Sequence, residues 1–539
     1  MSVTTTLTGG DVLAEALVAN DIQTIFGLPG VQLDGAFDAL ARRRDRVRLY
    51  HTRHEQATSY MASGFALATG RIGTCLVVPG PGLLNAMAGL STAYACSAPV
   101  LCLTGQIATR DIGRGFGRLH EIPHQLEALR SVTKWAARAN RPTEVGTTIA
   151  EAFRQLGLGR PAPVAVEIPP DVLESEALGP VRIERGPSPQ PAPPALDRAV
   201  ALLRRAERPL IVTGGGVLRA AAWDPLRELA ERLGAPVLLT QNGLGGLDID
   251  HPLAFPPLAG RRLLEAADVI LAVGTRFAGA EEGRRSYRDD QRLVRIDVAA
   301  EELRRGVEPT VAVETDARVA LNVLVRALDP VARATGWREL APLKDEVLQV
   351  AERIQPLAAY GAAVRSALPA ETIVVAGMTQ VGYWCRYGFP VHLPRTYLTS
   401  GYQGTLGFEY PTGLGAQVGR PDARTVVLVG DGGFLFNVQE LATAVQHRIP
   451  AIAVVFNDGA YGNVKRIQEE RFEGRVIGSE LQNPDLMQLA AAFGLRGIRA
   501  RSPEALERGL REALDEDGPV LVEVPMPAVP DPWSFTRGF

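Results

Sequence analysis

The run 425–463, TVVLVGDGGFLFNVQELATAVQHRIPAIAVVFNDGAYGN, decides the fold. An apolar β-rich stretch ends at Gly430-Asp431-Gly432-Gly433, a helical pattern covers about 437–447, and a second apolar stretch ends at Asn457-Asp458-Gly459. Strand, helix and strand joined by short turns make a βαβ unit with parallel strands. If the two strands are neighbours, Asp431 and Asn457 emerge together at the carboxyl edge, where open α/β sheets bind ligands.

A carboxylate beside an amide oxygen suits a hard divalent cation, and Mg²⁺ is commonly held by few protein oxygens plus the phosphate oxygens of a ligand. Gly432 and Gly433 would let backbone N–H groups approach such phosphates. Read alone, Asp-Gly after a strand is a turn. Asn457, at the end of the next strand and separated from Gly432 by 24 residues, makes a binding site the better reading.

Working outward, apolar runs alternate with helical patterns along the whole chain, which predicts α/β architecture: three doubly wound, mainly parallel-sheet domains. Strands are expected near 23–26, 46–50, 74–78, 99–103 and 163–167, then 209–213, 236–240, 268–273 and 292–298, then 372–376, 395–399, 425–429, 451–456 and 519–524. The segment 186–197, GPSPQPAPPALD, holds five prolines in twelve residues and reads as a linker. The expected division is an N-terminal domain over 1–185, that linker, a middle Rossmann-like domain over 198–335 and a C-terminal domain over 336–539. A chain of 539 residues has room for three such cores.

Net charge, 57 basic against 60 acidic residues, offers no basic block to track a phosphate backbone, so no nucleic-acid partner is expected. The uncharged stretch between Arg71 and Arg110 is broken by Pro79, Pro81, Asn85 and Pro99 and reads as strand, helix and strand, not as a membrane span. Cys75, Cys96, Cys102 and Cys385 lack C-x-x-C spacing, and no secretory leader is recognisable. Free thiols in the reducing cytoplasm are therefore expected.

Two further segments carry chemistry. In the first domain the strand RVRLY runs through His51-Thr52-Arg53-His54 to Glu55 and a helix of small residues, QATSYMASGFALATG. In the third, GYQGTLGF over 401–408 follows the strand RTYLT, and Thr379-Gln380 ends the strand TIVVA. With Ile25-Phe26-Gly27-Leu28-Pro29-Gly30, Pro79-Gly80-Pro81-Gly82 and the GDG-to-Asn spacing, these segments resemble the thiamine-diphosphate-dependent enzymes. The resemblance spans about 10–525 and is nearest to the acetolactate synthase, benzoylformate decarboxylase and benzaldehyde lyase group.

That resemblance implies thiamine diphosphate and Mg²⁺ held between a pyrimidine-binding first domain and a diphosphate-binding third domain. By it, Asp431, Asn457 and the backbone oxygen of Gly459 ligate Mg²⁺, and Gly430, Gly432, Gly433, Thr379, Gln380 and Tyr461 surround the diphosphate. Leu406 wedges between the cofactor's rings, the Gly404 carbonyl accepts from the exocyclic amine, and Pro29-Gly30 belong to the pyrimidine side. Glu55 shares a proton with the aminopyrimidine, a task that suits a shielded carboxyl. His51 and His54 are read as satisfied polar contacts. The two domains would come from different subunits, so a homodimer or homotetramer is expected.

The implied activity is decarboxylation or carboligation of a small 2-oxo acid, the alternative being a lyase for hydroxyketones or 2-hydroxyacyl-CoA. His120 falls where related enzymes place a substrate-side Gln, and is read as an acid–base group facing substrate or else a capping contact. Arg466 is read as a solvated helix charge, the alternative being a partner for a carboxylate. Gly214-Gly215-Gly216 and Gly274-Thr275-Arg276-Phe277 resemble flavin-binding turns, but Ala278-Gly279-Ala280 departs from that pattern. FAD is compatible with the turns and not expected.

Overall fold

Thr425–Gly430 and Ile452–Asn457 pair side by side in parallel, from Val426 against Ile452 to Gly430 against Phe456, as a βαβ unit requires. They are central in one of three six-stranded sheets in a computed structural model that describes residues 7–176, 193–277, 288, 290–328, 336–527, 529, 531 and 533.

The first sheet contains β1 (Thr24–Gly27), β2 (Arg48–His51), β3 (Gly73–Val77), β4 (Val100–Gly105), β5 (Trp135–Arg138) and β6 (Val164–Ile168), ordered β2-β1-β3-β4-β6-β5. The second contains β7 (Pro209–Thr213), β8 (Val237–Leu239), β9 (Ala254–Phe255), β10 (Val269–Val273), β11 (Arg292–Asp297) and β12 (Val311–Glu314), ordered β12-β11-β10-β7-β8-β9. The third contains β13 (Ile373–Ala376), β14 (Tyr397–Leu398), β15 (Thr425–Gly430), β16 (Ile452–Asn457), β17 (Arg496–Arg499) and β18 (Val520–Pro525), ordered β14-β13-β15-β16-β18-β17. Every strand pairing within the sheets is parallel.

The first and third sheets thus share one topology, while the second has the strand order of a dinucleotide-type doubly wound fold. Central strands such as β3, β4, β10 and β16 are apolar and buried on both faces, which is why their runs are unbroken. Four strands escape the sequence reading: β5, β9, β12 and β17. The proline-rich stretch is not linker throughout. Residues 186–192 lie outside the described residues, and 193–197 open the helix Pro193–Arg205, whose first turn tolerates Pro because its N–H groups have no helical partner.

One buried cluster runs through both outer domains, from Phe26, Tyr60 and Met61 to Tyr410, Leu414, Val427 and Phe434. At its centre the helices Glu55–Thr69 and Glu409–Gly419 meet backbone to backbone. A Cβ at Gly64 would collide with the Thr412 carbonyl, and one at Gly415 with the Met61 carbonyl. Only glycine allows that approach.

Candidate active site

Asp431 begins a short helix, Asp431–Leu435, directly after β15, and its side chain is buried. Asn457 ends β16 beside it. The Asn457 Nδ2 donates to Glu523 Oε1 at 2.9 Å, which turns Oδ1 toward Asp431. Asn483 then donates from a single Nδ2 to both Asp431 Oδ2 and Asn457 Oδ1, the latter at 3.0 Å. The two acceptor oxygens therefore converge on one point. Burial and the neighbouring Asp431 carboxylate push Asp458 up to about 6.

The turn after β16 is shaped by the segment 479–483, which lies along it. Tyr461 N–H donates to Ser479 O at 2.8 Å, and Leu481 N–H to Gly459 O at 2.7 Å, leaving that carbonyl a second lone pair. Tyr461 lies against Gly432, where any side chain would strike its ring. Gly430 faces Thr379, so the ends of β13 and β15 stand together. Thr379 and Gln380 are buried, line a small cavity with Phe456 and Asp458, and leave Gln380 Oε1 without a hydrogen-bond partner. Gly404, in a left-handed turn at φ 60°, touches Met378, and Leu406 is half-buried.

The second group stands on the carboxyl edge of the first sheet. Glu55 opens its helix, is half-buried, and accepts from Asn85 Nδ2 at 3.0 Å. Gly82 lies beside it, and Gly80 of the same turn abuts the His120 backbone. His120 Nδ1 contacts Gln32 Oε1 at 3.1 Å, in the turn that follows Pro29-Gly30. His120 is thus brought to the same edge as Glu55. His54 caps the Glu55 helix through Gln56 N–H at 3.2 Å, and the His51 N–H donates to His447 at 3.2 Å, so both histidines make the polar contacts expected of them. The two groups remain separate: among the described residues no hydrogen bond or ion pair joins Glu55 to Asp431 or Asn457.

Comparison with known proteins now bears on this geometry. Residues 7–129 match the thiamine pyrophosphate enzyme N-terminal TPP binding domain, 196–324 the central domain, and 376–524 the C-terminal TPP binding domain. The chain belongs to the thiamine pyrophosphate enzyme family. It is 34% identical to a probable 2-ketoarginine decarboxylase of Pseudomonas aeruginosa, with 96% of this chain and 94% of that protein covered. It is 32% identical to a probable acetolactate synthase large subunit of Methanocaldococcus jannaschii, covering 96% and 91%, and 31% identical to the acetolactate synthase isozyme 2 large subunit of Escherichia coli, covering 98% and 97%. It is a thiamine-diphosphate-dependent enzyme that makes or breaks C–C bonds, in the acetolactate-synthase-like group of decarboxylases and carboligases.

Three residues of this family member escape the sequence reading. Asn483 arrives from a loop with no local signal. Glu440, wholly buried in the third domain, accepts from the Arg53 and His54 N–H groups at 3.1 and 3.0 Å and so holds the turn that presents Glu55; burial raises its pKa. Glu409 is buried beside Gly377 and Gly433. Arg466 requires correction: it is not a solvated charge but a largely buried one, paired with Glu470 at 3.0 Å and Asp531 at 3.2 Å. In the middle domain the Gly214 and Gly216 N–H groups donate to Val273 O and Gly274 O, and Ala278-Gly279-Ala280 lie outside the described residues.

Proposed function

We propose that this enzyme decarboxylates a small 2-oxo acid and either protonates the product to an aldehyde or joins it to a second carbonyl. The observation that carries the reading is the convergence of Asp431 Oδ2 and Asn457 Oδ1 on the Asn483 amide nitrogen, a donor that Mg²⁺ would displace to bind the same two oxygens, with the Gly459 carbonyl as a further ligand. The unpartnered Gln380 Oε1 and the glycines of the Gly430–Gly433 turn suit the diphosphate beside it. Once bound, thiamine diphosphate supplies a carbon nucleophile for the substrate carbonyl and a sink for the electron pair of the broken C–C bond.

The chain's own groups do the rest. Asp431, Asn457, Thr379, Gln380 and Tyr461 orient the diphosphate end, while Gly404, Leu406 and Pro29-Gly30 position the rings. Glu55 exchanges a proton at the aminopyrimidine nitrogen, and His120 holds one for the substrate oxygen. No hydrogen bond or ion pair joins Glu55 to Asp431 or Asn457 among the described residues, and in this reading a complete site takes its halves from two copies, in a homodimer or homotetramer. Support comes from apolar side chains left exposed on the segments that carry both halves: Val31 after Pro29-Gly30, Leu84 before Asn85, Phe436 after the Asp431–Leu435 helix and Val464 in the helix that follows Tyr461. FAD has no part in the reading, since two of the glycine-turn amides are engaged by the neighbouring turn. Three buried free cysteines suit the cytoplasm.

The test is a substrate panel on cofactor-loaded enzyme, with pyruvate, benzoylformate and 2-ketoarginine assayed for CO₂, aldehyde and coupled products. Release of CO₂ from at least one is expected. Failure with all three, alongside cleavage of benzoin or a 2-hydroxyacyl-CoA, would select the lyase reading instead.

A further inference from the structure

Glu409 opens the helix Glu409–Gly419 with only 1% of its surface exposed. Its Oε1 accepts from Met378 N–H at 3.1 Å, and the Gly407 amide lies near enough to act on the carboxyl. A Cβ at Gly433 would stand 3.5 and 3.6 Å from the two carboxyl oxygens, and one at Gly377 would stand 2.7 Å from Oε1. Oε2 is buried with no hydrogen-bond partner, and no cation acts on the group among the described residues. A helix start needs no such residue, and an isolated buried acid is costly to keep.

The contacts say what it does. Gly377-Met378 leads straight into Thr379-Gln380, Gly407 ends the turn that carries Gly404 and Leu406, and Gly433 follows Asp431. We propose that Glu409 is a positioning residue for the diphosphate end of the site. Its carboxyl fixes the ends of β13 and β15 and the Leu406 turn relative to one another, so that all three face one diphosphate. The inference rests on the assignment of the Asp431–Asn457 edge to that diphosphate. The neutral acid fits the role, because burial lifts the carboxyl to about 7 and one oxygen can then accept from the amides while the other carries the hydrogen.

Glu409→Gln and Glu409→Leu in the full chain test it, through calorimetric Kd for thiamine diphosphate with magnesium in excess, kcat at saturating cofactor, and the Tm of the apo protein. Gln keeps the acceptor and should bind within about threefold of the parent. Leu loses it, and Kd should rise by at least roughly tenfold, with a smaller change in kcat. A Leu variant with lowered apo Tm but parental Kd would show a structural role only and overturn the inference. If the Leu protein does not fold, Glu409→Asp, too short to reach Met378, takes its place with the same expectation. Parent protein that binds no thiamine diphosphate refutes the site assignment itself, whereas a binding parent with unshifted variants refutes only the role of Glu409.

Discussion

Glu55 and Glu409 hold the same place in two copies of one topology. Each is the first residue of the helix that follows the second strand of its domain, the outermost strand in the shared order, and the two helices touch through Gly64 and Gly415. Their surroundings differ. Glu55 is half-buried with Asn85 as its partner, whereas Glu409 is sealed from solvent with the Met378 amide as its partner. One position therefore yields a carboxyl open to a ligand in the first domain and a brace for ligand-binding turns in the third.

Replacing Glu55 with Gln keeps the shape and the contact to Asn85 but removes the exchangeable carboxyl proton. Thiamine diphosphate should bind within a few-fold of the parent affinity while kcat falls by about 10²–10⁴, the usual weight of one acid–base group. Steady-state kinetics with a parallel binding titration checks this, and unchanged turnover would remove Glu55 from its role.

Asp431→Ala and Asn457→Ala each remove one of the two oxygens that meet at Asn483. Either should abolish magnesium-linked uptake of thiamine diphosphate at concentrations that saturate the parent protein, and chelation of magnesium should release cofactor from the parent. Calorimetry with and without the metal decides, and metal-independent binding of parental strength would contradict the assignment.

Legibility followed local signal. β15 and β16 were readable because buried parallel strands are continuous apolar runs, and their ends carried the chemistry. β17, Arg-Gly-Ile-Arg at a sheet edge and largely exposed, has neither burial nor alternation to betray it, and β9 is two residues long. Glu409 looks like any acid at a helix start, and its meaning appears only when Gly377 and Gly433 close over it. Asn483 reaches the site because the segment 479–483 pairs with the turn after β16, a contact that no nearby spacing encodes. Arg466 misled for the same reason, since its partner Asp531 lies far along the chain.

Gly64 and Gly415 make a packing prediction. A side chain at either drives into a facing backbone carbonyl, and neither helix can withdraw without opening the core shared by the outer domains. Gly415→Val should cost about 1–3 kcal/mol and lower the apo Tm by several degrees, while Gly494→Ala, a left-handed helix cap with open space around it, should cost less. Thermal scans of the two variants beside the parent test the ranking, and an equal or reversed loss would mean that the helix pair is not tightly closed.

The burial of Glu409 also predicts a pH dependence. Its carboxyl is pushed up to about 7 from 4.5, so below pH 4.5 it is protonated whether the chain is folded or not and has no effect on stability. Between 4.5 and 7 the unfolded chain ionises first while the folded chain must hold the proton, and the folded state loses ground as pH rises. Above 7 the loss is complete, at about 3 kcal/mol for a shift of this size. Glu409→Gln cannot titrate, so its apo stability relative to the parent should improve steadily from pH 4.5 to 7 and then level off. Urea unfolding of both apo proteins across that range measures the difference directly, and a constant offset would mean that the carboxyl is not held neutral.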